Sequence, residues 1–570
     1  MNVISLPVFG FFAVCLTHPV LSSPIAEREP AYAAWRDAHH AVDTLEAGSL
    51  TTIDGRSLTV WRARLLQARN DFDNLNAQTA LTMNDRRAQR LMIADVTASN
   101  ANLLASGAER GAQCSDRDQA QTESALTSAL YDCFSQIGNH LVVQNQIIGR
   151  STALELLSEE HDADRREQIF RAFTPLWEAI NGATATQESP YRRLIQLTAQ
   201  HRSSAPDRID LAARTVGTNR AQVERWLISI LTVWSHATSG ADIEPWDYWH
   251  AHSQGLDPLN ARITTADVQP LAARYFRDLG ADLDQLNVLH DLAPRVGKAP
   301  LSYTDYIRIG QTTPSGWRPA WVRVSATLEK GGVSAENEII HEDGHAVHMM
   351  ALRSRPAFFD LGDAVFFEAF ADVPSWSVAE PAFQARYLGI PAGSQAAKEA
   401  LYAGVMLDVA WALFEIRMLN QPGSDPNQLW AEITQRYLHI VPHPELAWWA
   451  LRVQLVHEPG YMINYGLGAI LTAQLRERII RSIGAFDAGN PTWYGWVSRH
   501  LLHFGEALET PVLLRQFLGR PVSDRALRNT LRYLAKANQV NSEKVASRMD
   551  TASSISAAVT TSGGMNRTVD

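Results

Sequence analysis

Ile339-Ile340-His341-Glu342-Asp343-Gly344-His345-Ala346-Val347-His348 is the stretch on which the reading of this chain turns. His341 and His345 are four residues apart, so on a helix both rings project from one face, roughly 6 Å apart along the axis. Two imidazoles so placed reach a single metal ion, each at about 2.0–2.1 Å. Glu342, between them, can take a proton from the attacking water. Histidine is sparse, 18 in 570 residues, so chance matches to this pattern are rare. The flanking residues read as helix. Ser334 is placed to cap its start, and Glu336 and Glu338 put negative charge in the first turns, where the helix dipole favours it. Ile339, Ile340, Val347 and Met350 supply an apolar side, and Pro356 marks the end.

Two histidines do not complete a catalytic zinc site, which takes three protein ligands and leaves a fourth position open. The third ligand is sought in Phe366-Phe367-Glu368-Ala369-Phe370-Ala371-Asp372-Val373, which reads as helix up to Pro374. A glutamate among so many apolar neighbours must be paired or bind a metal, unless it faces solvent. Glu368 is therefore the candidate. Asp372 shares its face one turn later, and metal-bound histidines donate their second ring N–H to such carboxylates. Asp372 is the expected partner of His341. His348 reads as a packed or surface histidine.

A second cluster lies in His457-Glu458-Pro459-Gly460-Tyr461-Met462-Ile463-Asn464-Tyr465. Pro459 and Gly460 break a helix, and an apolar one is expected from Tyr461 to about Ile480. This puts His457 in the loop and Tyr465 in the second turn. Amide hydrolysis needs donors aimed at the developing oxyanion, which a histidine and a tyrosine at such a junction can supply. The alternative is that these tyrosines only pack.

These segments together resemble the gluzincin oligopeptidases, the group containing thimet oligopeptidase, neurolysin and angiotensin-converting enzyme. His341 to His348 is similar to that group's HExGHxxH helix. Glu368-Ala369-Phe370-Ala371-Asp372-Val373 resembles the converting-enzyme pattern E-A-x-x-D-V, and Val373-Pro374-Ser375 resembles the thimet branch. The chain sits closer to the converting-enzyme side. The resemblance implies zinc on His341, His345 and Glu368, with Asp372 behind His341. It also implies Tyr465 first and Tyr461 second as oxyanion donors, with His457 on the substrate backbone or the intermediate. Two positions depart from converting enzyme. Asn464 replaces its chloride-binding arginine, and Leu455 replaces the lysine that holds the substrate's C-terminal carboxylate. Chloride activation and strict dipeptidyl-carboxypeptidase specificity are therefore not carried over. The group also places an edge strand beside the metal helix to pair with bound peptide; Trp321 to Thr327 alternates as such a strand would, or as a structural hairpin strand would.

The remaining sequence frames this site. Apolar spacing is helical in Leu401–Met418, Leu429–Ile440 and Ala447–Val456, and no repeat or long linker interrupts residues 29–534. A mainly α fold is expected: a two-lobed helical body around a deep channel, with a small β element near the metal. Residues 1–23 read as a signal peptide, since Val3 to Leu21 is apolar and Ser22-Ser23 follows. Residues 24–534 read as one metallopeptidase domain, with 24–160 a lid lobe and 161–534 the catalytic body. Residues 535–570, rich in Ser, Thr and Ala, read as disordered. Leu518 to Asp524 is expected to close the last helix. With Cys15 inside the signal, Cys114 and Cys133 remain, as a disulfide or as two separate thiols.

The expectation is a periplasmic or secreted zinc peptidase acting on oligopeptides, of peptidyl-dipeptidase or oligopeptidase type. The alternatives are a carboxypeptidase and a non-catalytic zinc-containing peptide binder. A net charge of −10 with dispersed basic residues argues against nucleic acid. No stable membrane anchor is expected, because Pro7 and Pro19 interrupt the one long apolar stretch.

Overall fold

The computed structural model describes residues 24–75, 83–108, 113–183, 188–201, 206–238, 241–295, 298, 302–328, 330–359, 363–391 and 394–536. The segment read as a signal peptide, and the tail beyond residue 536, lie outside the described residues. The molecule is mainly α-helical, as the apolar spacing predicts. Among the described residues no helix is long and apolar enough to cross a membrane.

Seven helices matter for the site: α1 (Pro24–Glu46), α2 (Glu123–Gln136), α3 (Val333–Ala351), α4 (Ala364–Ser375), α5 (Ala396–Asn420), α6 (Gln454–His457) and α7 (Ile463–Ile483). One continuous apolar core joins residues of α2 to those of α3, α4, α5 and α7. The N-terminal helices bury smaller clusters of their own. Tyr32, Trp35, Phe72 and Met92 close over Phe358, and Val42 and Trp61 close over Ile307. Cys114 and Cys133 form a disulfide within the main core, the first of the two alternatives the sequence leaves open.

The β element is a three-stranded sheet of β1 (Val288–Asp291), β2 (Tyr303–Arg308) and β3 (Trp321–Ser325), in the order β1-β3-β2. β3 runs parallel to β1, with Val288 opposite Val322, and antiparallel to β2, with Thr304 opposite Val324. The alternating segment at Trp321 is thus a strand, but the central one. Its backbone is already paired on both sides, so it cannot receive a peptide. Arg323, the charged residue of the alternation, does not face solvent: its guanidinium is buried on Asp305 of β2, Nε to Oδ1 at 3.0 Å. The outer strands are β1 and β2, which reach the metal helix through His290 and Thr304.

Other local expectations shift for identifiable reasons. α3 starts one residue after Gly332, whose φ of +98° suits glycine, and Ser334 lies inside the helix. The capping acceptor comes from far away: the Asn260 side chain takes the Val333 N–H at 3.0 Å. Ala447–Val456 is not one helix but a 3-10 turn, Trp448–Leu451, followed by α6. Trp449 there accepts the Trp411 indole N–H at its backbone carbonyl, a bond that a continuing α-helix would have claimed. The helix Thr510–Leu518 ends at Gly519, in a left-handed conformation, but is not the last; 525–536 is helical too and runs past the expected boundary at 534.

Candidate metal centre

α3 and α4 cross at a point that only glycine permits. A Cβ on Gly344 would lie 2.9 Å from both the Cα and the carbonyl oxygen of Ala371, and 3.2 Å from Cγ of Pro374. That close approach brings Glu368 on α4 beneath the two histidines of α3. On its other side α4 rests on α7. The Thr472 hydroxyl donates to the Ala369 carbonyl at 2.9 Å, and Arg476 reaches the Val373 carbonyl.

The three expected ligands converge. Nε2 of His341 and Nε2 of His345 are 3.1 Å apart, and Oε2 of Glu368 is 3.4 Å from the first and 3.8 Å from the second. Asp372 sits where it was expected, its Oδ1 3.0 Å from Nδ1 of His341. That contact fixes the proton on Nδ1 and leaves the Nε2 lone pair facing the cluster. Burial disfavours charge on His341, but its bonds to Asp372 and Glu368 outweigh this and raise its pKa well above the ordinary histidine value. The two carboxylates thus favour a cation at this ring, which a metal ion on Nε2 would supply in place of a proton. His345 is buried against Phe367, ring centroids 3.7 Å apart, and burial together with His341 and His348 keeps it neutral. A neutral, lone-pair-bearing His345 is what a metal ligand requires. Two imidazole nitrogens and one carboxylate oxygen, all within 4.8 Å of one another, form a donor set that fits Zn²⁺ and leaves room for a fourth ligand. His348 is no part of it. It is buried among Phe366, Phe367 and Phe370, as a packed histidine should be.

Glu342 lies on the same helix with its carboxylate turned toward β2. The Thr304 hydroxyl is 2.6 Å from its Oε2 and 3.0 Å from its backbone carbonyl. Burial raises the Glu342 pKa to about 7, with His341 and the Thr304 bond pulling the other way. A carboxyl so tuned can both accept and release a proton near neutrality. Thr304 was not singled out from the sequence, since nothing local shows that its strand passes under α3.

The second cluster is assembled less uniformly. Tyr461 precedes α7, and Tyr465 falls in its first turn rather than its second, because the helix starts at Ile463. Their rings are 5.8 Å apart. Burial raises both phenols, and the Glu368 carboxylate raises both further, which places the pair within electrostatic reach of the metal ligands. The Gln454 amide donates to the Tyr465 hydroxyl at 3.1 Å. His457 ends the short helix α6 instead of lying in a loop. It is exposed, its ring 4.5 Å from that of Tyr131 on α2. Leu455 is fully buried and faces no substrate. Two arginines that the sequence reading passed over stand beside Tyr465. Arg452 pairs with Asp408 and lies 5.9 Å from the Tyr465 ring centroid. Arg150 adjoins it, and burial and the Arg452 charge both lower the Arg150 pKa.

No protein-family model matches the chain, and no curated protein matches it in sequence. Solved structures do match in fold. One is the M32 carboxypeptidase from Deinococcus radiodurans R1, with a TM-score of 0.50 and 12% identity over 90% of this chain and 97% of that one. Another is the Pyrococcus furiosus carboxypeptidase, with a TM-score of 0.50 and 13% identity over 90% and 99%. The chain has the fold of these carboxypeptidases. The motif resemblance to the converting-enzyme and thimet branches is thereby narrowed. The fold matches are named as carboxypeptidases and do not single out the converting-enzyme or the thimet branch.

Proposed function

We propose that the protein is a zinc-dependent peptidase that trims short peptides from their C-termini. The observation that carries this reading is the convergence of His341, His345 and Glu368, with Glu342 held alongside by Thr304. Bound zinc would polarise the scissile carbonyl and acidify the attacking water. Glu342 takes the proton of that water and passes it to the leaving amine. Tyr465 and Tyr461 donate to the oxyanion as it forms. His457, packed against Tyr131, contacts the substrate backbone. A mere peptide binder has no use for a buried carboxyl poised next to the metal ligands.

End-trimming is favoured over internal or dipeptidyl cleavage on two grounds. The matched folds are carboxypeptidases, and the lysine that serves converting enzyme is replaced here by the buried Leu455. Arg150 supplies a cation instead. Its one hydrogen bond goes to the Leu451 carbonyl at 3.4 Å, and among the described residues it has no carboxylate partner. It is free to take a terminal carboxylate in a charge-assisted bond. The test is digestion of a mixed peptide library, with cut sites mapped by mass spectrometry. Release of single C-terminal residues that stops on chelation and returns with zinc is the expected result. Dipeptide release or internal cuts would move the protein to the other enzyme types, and intact peptides with zinc bound would make it a binder.

A further inference from the structure

We infer that Glu415 is a positioning residue for the phenols of Tyr461 and Tyr465, a role that rests on the reading of those phenols as oxyanion donors. Glu415 lies in the apolar middle of α5, in Val409-Ala410-Trp411-Ala412-Leu413-Phe414-Glu415-Ile416, and is fully buried. A carboxylate there is costly unless its lone pairs are met. They are met by the turn ahead of α7. Oε1 accepts the Gly460 N–H at 2.7 Å and Oε2 accepts the Met462 N–H at 2.9 Å.

These two donors bracket Tyr461. The first N–H groups of α7 itself are met within the backbone, Asn464 by the Tyr461 carbonyl at 2.9 Å and Tyr465 by the Met462 carbonyl at 3.2 Å. Glu415 instead holds the turn ahead of the helix through the Gly460 and Met462 N–H groups. Because the carboxylate comes from another helix, it fixes where α7 begins relative to α5 as well as satisfying those two donors. Gly460 completes the arrangement. Its φ is +92°, and a Cβ on it would meet Arg208 Cβ at 3.1 Å, so the turn is closely packed from behind. Arg208 itself is turned away, toward Glu458 at 3.5 Å, and Asp207 pairs with Arg220. Among the described residues no side chain forms an ion pair with the Glu415 carboxylate, and the two backbone donors are its hydrogen-bond partners. Tyr465 follows three residues after Met462 in the same rigid first turn. Moving the anchor would move both phenols relative to Glu368 on α4.

Glutamine in place of Glu415 keeps the shape but offers one acceptor, and it sets an amide NH₂ against the second backbone donor. The experiment is a double-mutant cycle on the full-length, zinc-loaded protein with a short peptide substrate, using Glu415→Gln, Tyr465→Phe, Tyr461→Phe and the Glu415→Gln/Tyr465→Phe pair. Expected for Glu415→Gln is a fall in kcat of roughly tenfold or more, with KM and zinc stoichiometry within about twofold of wild type. The double variant should be no more than about threefold slower than Tyr465→Phe alone, because a displaced phenol and a missing one are the same loss. Additive effects, or wild-type kcat in Glu415→Gln, would overturn the proposal. Should Glu415→Gln fail to fold, the same cycle with Glu415→Asp decides by the same criterion, since the shorter carboxylate keeps the charge but cannot span both donors. If Tyr461→Phe and Tyr465→Phe both retain wild-type kcat, the oxyanion reading itself fails, which the cycle reports separately.

Discussion

Gly344→Ala isolates the contact on which the metal site hangs. In a helix interior the exchange of glycine for alanine ordinarily stabilises by about 0.5–1 kcal/mol. At Gly344 the added Cβ would stand 2.9 Å from two backbone atoms of Ala371, where ordinary contact starts at 3.4 Å. No rotamer relieves a clash with backbone, so α3 and α4 must part by about 0.5 Å. Overpacking of this kind costs about 1–3 kcal/mol, which exceeds the gain in helix propensity. Glu368 rides on α4, and zinc–ligand distances tolerate only about ±0.2 Å. The expected outcome is a net destabilisation of roughly 1 kcal/mol and zinc affinity weaker by about 10–100-fold, the range seen when metal ligands lose their support. Competition against a chromophoric chelator reads the second effect, and denaturant unfolding reads the first. Gly404→Ala is the matched control, since its Cβ would meet nothing within 4 Å and should gain the helix term alone. A Gly344→Ala protein with wild-type zinc affinity and the control's gain in stability would refute the account of the crossing.

Glu342→Gln should keep its zinc yet lose at least about a hundredfold in kcat, and full activity in that variant would end the general-base assignment. Thr304→Val removes a hydrogen bond to a buried carboxylate, worth about 1.5–3 kcal/mol to its charged form. It should cut kcat/KM by about tenfold or more while Thr304→Ser restores most of it; equal rates in all three proteins would show that Thr304 only packs. His252 is half-buried against Trp234 and Tyr248, and desolvation lowers its pKa to about 4. Its folded value lies below the unfolded one near 6.5, so its contribution is complete above that pH and is lost as pH falls toward 4, at up to about 1.4 kcal/mol per unit. Urea midpoints across that window should fall less steeply for His252→Gln than for wild type, and parallel curves would count against the assignment.

The metal site was legible because its chemistry is local. His341, Glu342 and His345 share one helix, and Glu368 and Asp372 share the next, so helical spacing alone orders each set. The disulfide was half legible: only one partner was left for each cysteine, but two separate thiols fitted the sequence as well. What local pattern could not show was pairing across the chain. Val322-Arg323-Val324 alternates in the way an edge strand does, and only its backbone pairing to β1 on one side and β2 on the other reveals it as central. Thr304 and Glu415 act through partners 38 and 45 residues away, and neither carries a motif. His457 carried a motif position, yet Tyr131, a residue with no sequence link to it, decides where its ring lies.

α4 is the beam shared by both halves of the chemistry. It meets α3 at Ala371 and α7 at Ala369, so the metal ligands and the phenols are referenced to one twelve-residue element. A site suspended in this way asks little of the rest of the molecule. The surrounding helices need only fill volume, and cores tolerate wholesale exchange of apolar residues when volume and pattern are kept. That accounts for a fold maintained over 90% of the chain at 12% identity. Sequence constraint among related chains should accordingly be concentrated in residues 333–375 and 458–476, with Glu415 as an isolated fixed point between them. The N-terminal helices, which meet the body through small clusters at Phe358 and Ile307, are then the part that can be exchanged to admit a different length of peptide, provided those two contacts are kept.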